Sequence, residues 1–442
     1  MARGRREGER AKGMKRRFGP LTDLVKNSYC RESPLLMRCS KHLISVSSHG
    51  RFTFVGRLAL LILMSVLVIH CGDKEERTKW RGPARIGVVV PGSGPLQDEG
   101  EMLRLGALMA IEEAGGRAGD HQIEMIVYDS PCNAGTAIHV AEEIAADGST
   151  SAVIGYLCPE TIRDVLPIYK GAHLALINPT VSAAYTRKDE SRHLFPMLYG
   201  DGEQGAFLAA YAKKGLKLTR VAIFSDGSIL GNLLSTFFLR EAKRLGLELV
   251  ENISGNPNPQ EAARAVGIIK SARPEAIFLA ALPKAASLFL IEHRRQKVGG
   301  VVLGPDQFAD LDFYEITGQA AEGLLVCQPV LLDREDPENS GFVQRFERFT
   351  KRRPNWIAAA GYDSMRLALE VLSRSGPERN DFLRVIRKIS EPGKSFSGIG
   401  GPLFFKEDGN SQRPFFVAEI HEGRLRPAEP PTVEFSLLAD DK

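Results

Sequence analysis

Two stretches of the chain read alike, residues 85–92 as RIGVVVPG and residues 220–227 as RVAIFSDG. The first, behind Arg85, is a continuous apolar run with β-branched residues, which is how a strand buried on both faces of a parallel sheet reads, and the second repeats the same strand-and-turn idea 135 residues later. After the first, a Gly-Ser-Gly-Pro turn leads into a helical period through Leu105, Leu108, Met109 and Glu112 that stops at Gly115 and Gly116. Strands are expected again at 125–128, 152–157 and 174–177, with a helix near 136–146. Behind the second stretch the scheme restarts, with strands at 247–253, 276–282, 301–303 and 324–330 and helices between them. This alternation predicts an α/β chain of two doubly wound, Rossmann-like lobes in tandem, with a ligand crevice at the carboxyl ends of their strands. Residues 339–373 read as helical with a break near Pro354. The chain then returns to strands at 401–405 and 414–420 around a turn at 408–410, so it crosses between lobes more than once.

A length of 442 residues exceeds one ordinary domain. The expected division is a leader and linker over 1–83, a first lobe from 84–199 with 331–402, a second from 200–330 with 403–430, and a tail over 431–442. The net charge of +4 comes from the leader, because residues 1–70 hold 14 basic against 4 acidic side chains and leave the remainder mildly acidic. That balance argues against nucleic acid as a partner, which needs a clustered basic surface.

Residues 58–69 form an apolar run behind a basic flank, too short to span a bilayer comfortably but suited to a signal-peptide core. Cys71 follows at once, as at a bacterial lipoprotein cleavage site where the thiol takes a diacylglycerol. His70 stands where a small residue is usual, so a plain secretory signal or an uncleaved anchor remains the alternative. Export permits a disulfide, and Cys132 with Cys158 is the expected pair, with Cys327 left as a buried free thiol.

Motifs for chemistry are missing. The histidines behind the leader (121, 139, 173, 193, 293 and 421) are never three or four residues apart, so no metal-binding helix is written. There is no CxxC, P-loop or GxSxG elbow. Gly398-Ile399-Gly400 begins a GxG but follows no expected strand, and reads as a flexible turn. No catalytic residue, cofactor or metal is predicted.

Taken in order, YDSPCNAGTAIHVAEEIAADGSTSAVIGYLC at 128–158, INPTVSA at 177–183, DGEQG at 201–205, GPD at 304–306, AEGLLV at 321–326 and GGPLFF at 400–405 resemble the branched-chain amino acid binding proteins of the type I periplasmic binding fold. The resemblance runs from about residue 84 to about 428. It implies a multi-strand hinge between the lobes and a bond between the two cysteines named above.

Carried over by position, the family's ligand shell is only partly kept. Its carboxylate-binding hydroxyl falls at Pro159, which has neither hydroxyl nor N–H, with Glu160 and Thr161 beside it as replacements. The next amides fall at Thr180 and Ser182, the latter keeping a hydroxyl. The acid that receives a ligand ammonium falls at Asp306, and Asp201 matches an acid at the cleft edge. Three pocket aromatics are replaced by Glu99, Leu230 and Leu282. Each also has an ordinary structural use: Ser182 as a helix cap, Asp306 as a turn residue, Asp201 as part of the hinge, Glu99 as a solvated side chain, and the leucines as core.

The expected function is a monomeric, lipid-anchored receptor on the periplasmic or outer side of a bacterial membrane. It would close on a small amino-acid-like ligand and serve the permease of an ABC uptake transporter. The alternatives are a lipoprotein of the same fold that acts on a cell-wall enzyme, and a ligand sensor.

Overall fold

The computed structural model describes residues 82–181, 192–256, 258–309, 311–332, 337–390, 394–406 and 409–435. The first lobe opens with β1 (Ala84–Val90), α1 (Gln97–Glu113), β2 (Arg117–Ala118), β3 (His121–Asp129), α2 (Ala134–Ala146), β4 (Thr150–Gly155), α3 (Pro159–Gly171), β5 (Ala175–Asn178) and β6 (Leu194–Pro196). Its sheet has the order β2-β3-β1-β4-β5-β6. The central strand β1 is parallel to both neighbours, with Val88 beside Val127 on one side and Ile154 on the other. Every residue of β1 except Arg85 is buried, which is why this strand shows an apolar run without alternation.

The second lobe follows with α4 (Asp201–Ala210), which widens into a π turn at Tyr211–Gly215, then β7 (Arg220–Ser225), α5 (Ile229–Arg244), β8 (Glu248–Ser254), α6 (Pro259–Ala272), β9 (Ala276–Ala280), α7 (Pro283–Arg295), β10 (Val301–Gly304), a 3-10 turn at Asp306–Ala309, α8 (Leu311–Thr317) and β11 (Leu325–Gln328). Three helices then return to the first lobe: α9 (Pro337–Thr350), α10 (Trp356–Ser375) and α11 (Arg379–Ile386). Their Phe346, Tyr362, Leu372 and Phe382 share one buried cluster with Ile86 and Val88 of β1. A small sheet of β12 (Phe396–Gly398), β13 (Gly401–Phe405) and β14 (Ser411–Gln412) precedes β15 (Phe416–His421) and β16 (Arg424–Pro427). The last two complete the second sheet in the order β16-β15-β11-β10-β9-β7-β8, with β15 antiparallel to β11.

Two sequence expectations are corrected by packing. Leu403 and Phe405, assigned to the second lobe, are buried in the first-lobe core, so the final crossover lies beyond β14. Gly398 ends a strand and pairs with Gly401, and Ile399-Gly400 form the turn of the β12–β13 hairpin. In addition, Val433 and Phe435, expected in a tail, pack on the second lobe, where Phe435 meets the rings of Phe207 and Phe415 edge-on.

Helices α1 and α10 touch through glycine. A Cβ on Gly106 would lie 2.0 Å from the Ala358 carbonyl oxygen, and one on Gly361 would lie 2.3 Å from that of Leu103. Glycine inside a helix costs about 1 kcal/mol against alanine, so the close approach outweighs propensity here. Gly106→Val should destabilise the fold by about 3 kcal/mol through overpacking, read as a lower urea midpoint at unchanged slope. An unchanged midpoint would mean that the two helices part freely.

Candidate ligand-binding cleft

All three crossovers run along the carboxyl edges of the two parallel sheets. Residues 197–200 leave the carboxyl end of β6 for α4, residues beyond Gln328 leave that of β11 for α9, and β15 begins opposite that same end, with Phe416 paired to Gln328. The carboxyl edges of both sheets therefore face the hinge and each other, where open α/β sheets hold ligands.

The first and last crossovers meet at a buried ion pair. Arg413 and Asp363 side chains are each 1% exposed, with N–O at 3.7 Å. The Asp363 carboxylate also accepts from Ile399 N at 2.8 Å and Gly400 N at 3.3 Å, while Arg413 donates to the Met197 carbonyl at 2.6 Å. Burial pushes the Asp363 pKa up, and the Arg413 charge and the two amides work against that rise. The Ser411 hydroxyl donates to the Leu198 carbonyl, and Lys406 pairs with Glu203 at 2.7 Å. The Tyr199 ring stacks on Phe415 at 3.9 Å, and its hydroxyl lies 3.5 Å from the Sγ of Cys327, a buried free thiol.

On the first lobe the cleft edge is organised by Asn178 at the end of β5, which is fully buried. Its amide nitrogen donates to the carbonyls of Gly155 at 2.6 Å and Tyr156 at 2.9 Å, and its oxygen accepts from Thr180 N at 3.0 Å and Val181 N at 2.6 Å. One side chain thus fixes the turns behind β4 and β5. The loop behind β1 is held by Asp129, which accepts from Gly92 N at 2.7 Å and from the Ser93 hydroxyl at 3.3 Å. Cys132 and Cys158 are bonded, with Cα atoms 5.5 Å apart, tying the turn behind β3 to the start of α3. Among the described residues along this edge three buried polar atoms have no hydrogen-bond partner: Glu99 Oε2, Ser130 Oγ and Thr180 Oγ1. A buried polar atom left unpaired costs about 1–3 kcal/mol, so three near one edge ask for a ligand or water.

On the second lobe Asp226 does the corresponding work. It accepts from Ser228 N at 3.0 Å and Ser228 Oγ at 2.6 Å, and its other oxygen accepts from Leu282 N at 2.9 Å, joining the turns behind β7 and β9. The turn behind β10 is set by Gln204, 3% exposed, whose side-chain oxygen accepts from Asp306 N at 3.0 Å. The apolar side chains of Ile229 and Leu282 stand 92% and 43% exposed on this edge.

The family profile described as periplasmic binding protein matches residues 83–424. The chain belongs to the periplasmic binding protein family. The leucine-, isoleucine-, valine-, threonine- and alanine-binding protein of Pseudomonas aeruginosa is 23% identical over 348 residues, covering 77% of this chain and 91% of that protein. Two solved structures share the fold. An ABC transporter substrate-binding protein of Desulfitobacterium hafniense in complex with Leu has a TM-score of 0.65 at 21% identity, covering 78% of this chain and 99% of its own. A solute-binding protein of R. palustris in complex with benzoate has a TM-score of 0.59 at 20% identity, covering 78% and 95%.

In this periplasmic binding protein the residues singled out from the sequence have unequal places. Thr180 spends its amide on Asn178 and keeps its hydroxyl unpaired, the reverse of the use implied for it. Thr161 is 1% exposed and its hydroxyl donates to the Cys158 carbonyl at 2.7 Å, so it closes the first turn of α3 and offers a ligand no free proton. Pro159 is the first residue of that helix, a position where its missing N–H is not needed. Glu99 is half-buried in the first turn of α1, and Asp201 is the first residue of α4 at the hinge. Asp306 opens the 3-10 turn behind β10. Leu230 packs against the second-lobe core, whereas Leu282 lies open on the edge. Ser182 and Cys71 lie outside the described residues. Asn178, Asp226 and Gln204 escaped the sequence reading. Asn178 and Asp226 left a signal, polar residues directly behind apolar runs in INP at 177–179 and FSDG at 224–227, whereas Gln204, within DGEQG at 201–205, left none of that kind.

Proposed function

We propose that this chain is the extracytoplasmic solute-binding subunit of an ABC-type uptake transporter. It takes an amino-acid-like solute between its lobes and presents the closed form to a membrane permease. In this reading the mature chain is a monomer anchored through a lipid on Cys71, and it performs no chemistry on its ligand. The observation that carries the reading is the set of unpaired atoms on Glu99, Ser130 and Thr180 along the first-lobe edge, set across the hinge from Asp306 on the second. Only a ligand that touches both lobes biases closure, and a zwitterion offers its carboxylate to the Ser130 and Thr180 hydroxyls and its ammonium to Asp306.

Asp306 is the acceptor for the ammonium end, and a charge-assisted bond of this kind contributes about 1.5–3 kcal/mol. An amino acid, amide or short peptide at about 100 times its Kd should raise stability by about 2.7 kcal/mol, seen as a higher Tm across a compound library. Asp306→Asn should weaken that solute about 10-fold or more. If no compound of these classes raises Tm, the receptor reading falls, and action on a cell-wall enzyme takes its place.

A further inference from the structure

A second cavity lies at the other end of the second lobe. It has a volume of about 790 Å³ and is lined by the amino ends of β10 and β11, the carboxyl end of α7, and the turn between β15 and β16. Because β15 runs antiparallel to β11, its carboxyl end marks the edge of the sheet opposite the hinge. The cavity is therefore separate from the interlobe cleft, and its volume is that of an ordinary small-molecule site.

Its floor is apolar, made by Leu290, Val302 and Leu324, and Tyr314 forms a wall, held against the β15–β16 turn where a Cβ on Gly423 would meet its ring at 2.7 Å. Against this floor stands His293, 2% exposed, with neither ring nitrogen hydrogen-bonded. A neutral imidazole carries one donor and one acceptor, and leaving both dry inside a protein is costly. Burial, with the charge of Arg294 beside it, holds the His293 pKa down at about 4, so the ring is neutral at physiological pH. It presents hydrogen-bonding capacity, not charge.

The rim carries the charge. Glu322, Glu419 and Glu422 line it. Glu419 is paired with Arg426 at 2.9 Å, and Glu322 with His421 Nδ1 at 2.8 Å. The Arg294 guanidinium, also in the lining, is spent on the carbonyls of Ala320 and Glu322. Counting Arg294 and Arg426 against the three glutamates leaves the rim with an excess of negative charge.

We propose that this cavity is a second ligand site, for a small amphiphilic amine whose ammonium rests among the rim glutamates and whose apolar body, with one polar group, reaches the floor and His293. The site is independent of the solute in the interlobe cleft, and it makes this receptor responsive to an organic cation at the far face of its second lobe.

The test is calorimetric titration of the full mature chain with tyramine, with phenethylamine as the probe that lacks the hydroxyl. Saturable tyramine binding is expected, weakened at least 10-fold by His293→Leu and by Glu322→Gln. Asp306→Asn should leave it unchanged. Phenethylamine should bind more weakly than tyramine to the native chain and equally to the His293→Leu variant. His293→Leu should itself raise Tm, because it removes two unpaired buried ring nitrogens and replaces the ring stacked on Phe289 at 6.2 Å by another apolar side chain. Tyramine binding unaltered by both cavity variants, binding abolished by Asp306→Asn, or no saturation at millimolar concentration would each overturn the proposal.

Discussion

Arg413→Leu is expected to destabilise the folded chain by about 3–5 kcal/mol, because it leaves the Asp363 carboxylate buried without its counter-charge. The carboxylate is 1% exposed and would retain only the amides of Ile399 and Gly400. The site is tightly packed, since a Cβ on Gly398 would already lie 2.4 Å from a carboxylate oxygen and one on Gly400 would strike the guanidinium. Asp363→Leu alone should cost a similar amount. The double variant should recover most of the loss, because an apolar pair of similar volume avoids the cost of burying two charges. A double-mutant cycle in urea measures this. Losses below about 1 kcal/mol in both single variants would show that the pair adds nothing beyond packing. The pair sits where Met197, the 399–400 turn and Arg413 meet, so its loss should also spoil the alignment of the two cleft edges and reduce solute binding in the surviving folded fraction.

Asn178→Ala is expected to be nearly as severe, for a different reason. Four backbone groups, the carbonyls of Gly155 and Tyr156 and the amides of Thr180 and Val181, lose their partner at a site with no exposure. Each unsatisfied buried group costs about 1–3 kcal/mol, less whatever water recovers, so a loss of about 4 kcal/mol is expected. The turn at Tyr156, with φ of 61°, and the segment carrying Thr180 would both loosen. Solute affinity should then fall more than 30-fold by calorimetry at a temperature where the variant remains folded. Asn178→Asp, which keeps the acceptor and loses the donor, should retain more stability than Asn178→Ala. If the alanine variant bound solute as tightly as the parent, the turns behind β4 and β5 would have no part in the site.

The strands were legible because their information is local. Residues 86–90 are apolar at every position, which only a strand covered on both faces requires, and β1 is covered on both faces. Helix α2 was legible except at its start: expected from about 136, it begins at Ala134, behind Asn133, whose side chain accepts from Thr136 N at 3.1 Å. The break near Pro354 separates α9 from α10 as proline before a helix start should. The boundary placed at residue 402 failed because Leu403 and Phe405 alternate as any strand does, and alternation does not say which core the inner face joins. Thr161 illustrates the same limit in the site: a hydroxyl near a helix start serves a ligand or its own backbone equally well on paper, and here it closes on Cys158.

By itself the sequence determined the two lobes and the direction of their sheets, since hydrophobic period and turn residues act over a few neighbouring positions. Tertiary structure alone decided which polar atoms are satisfied. The Asp363–Arg413 pair joins residues far apart in the chain, Thr180 keeps its hydroxyl because Asn178 takes its amide, and His293 keeps both ring nitrogens unpaired beside a cavity assembled from four separate segments. A hydrogen bond depends on distance and direction in space, and no local pattern records which distant group will arrive to make it.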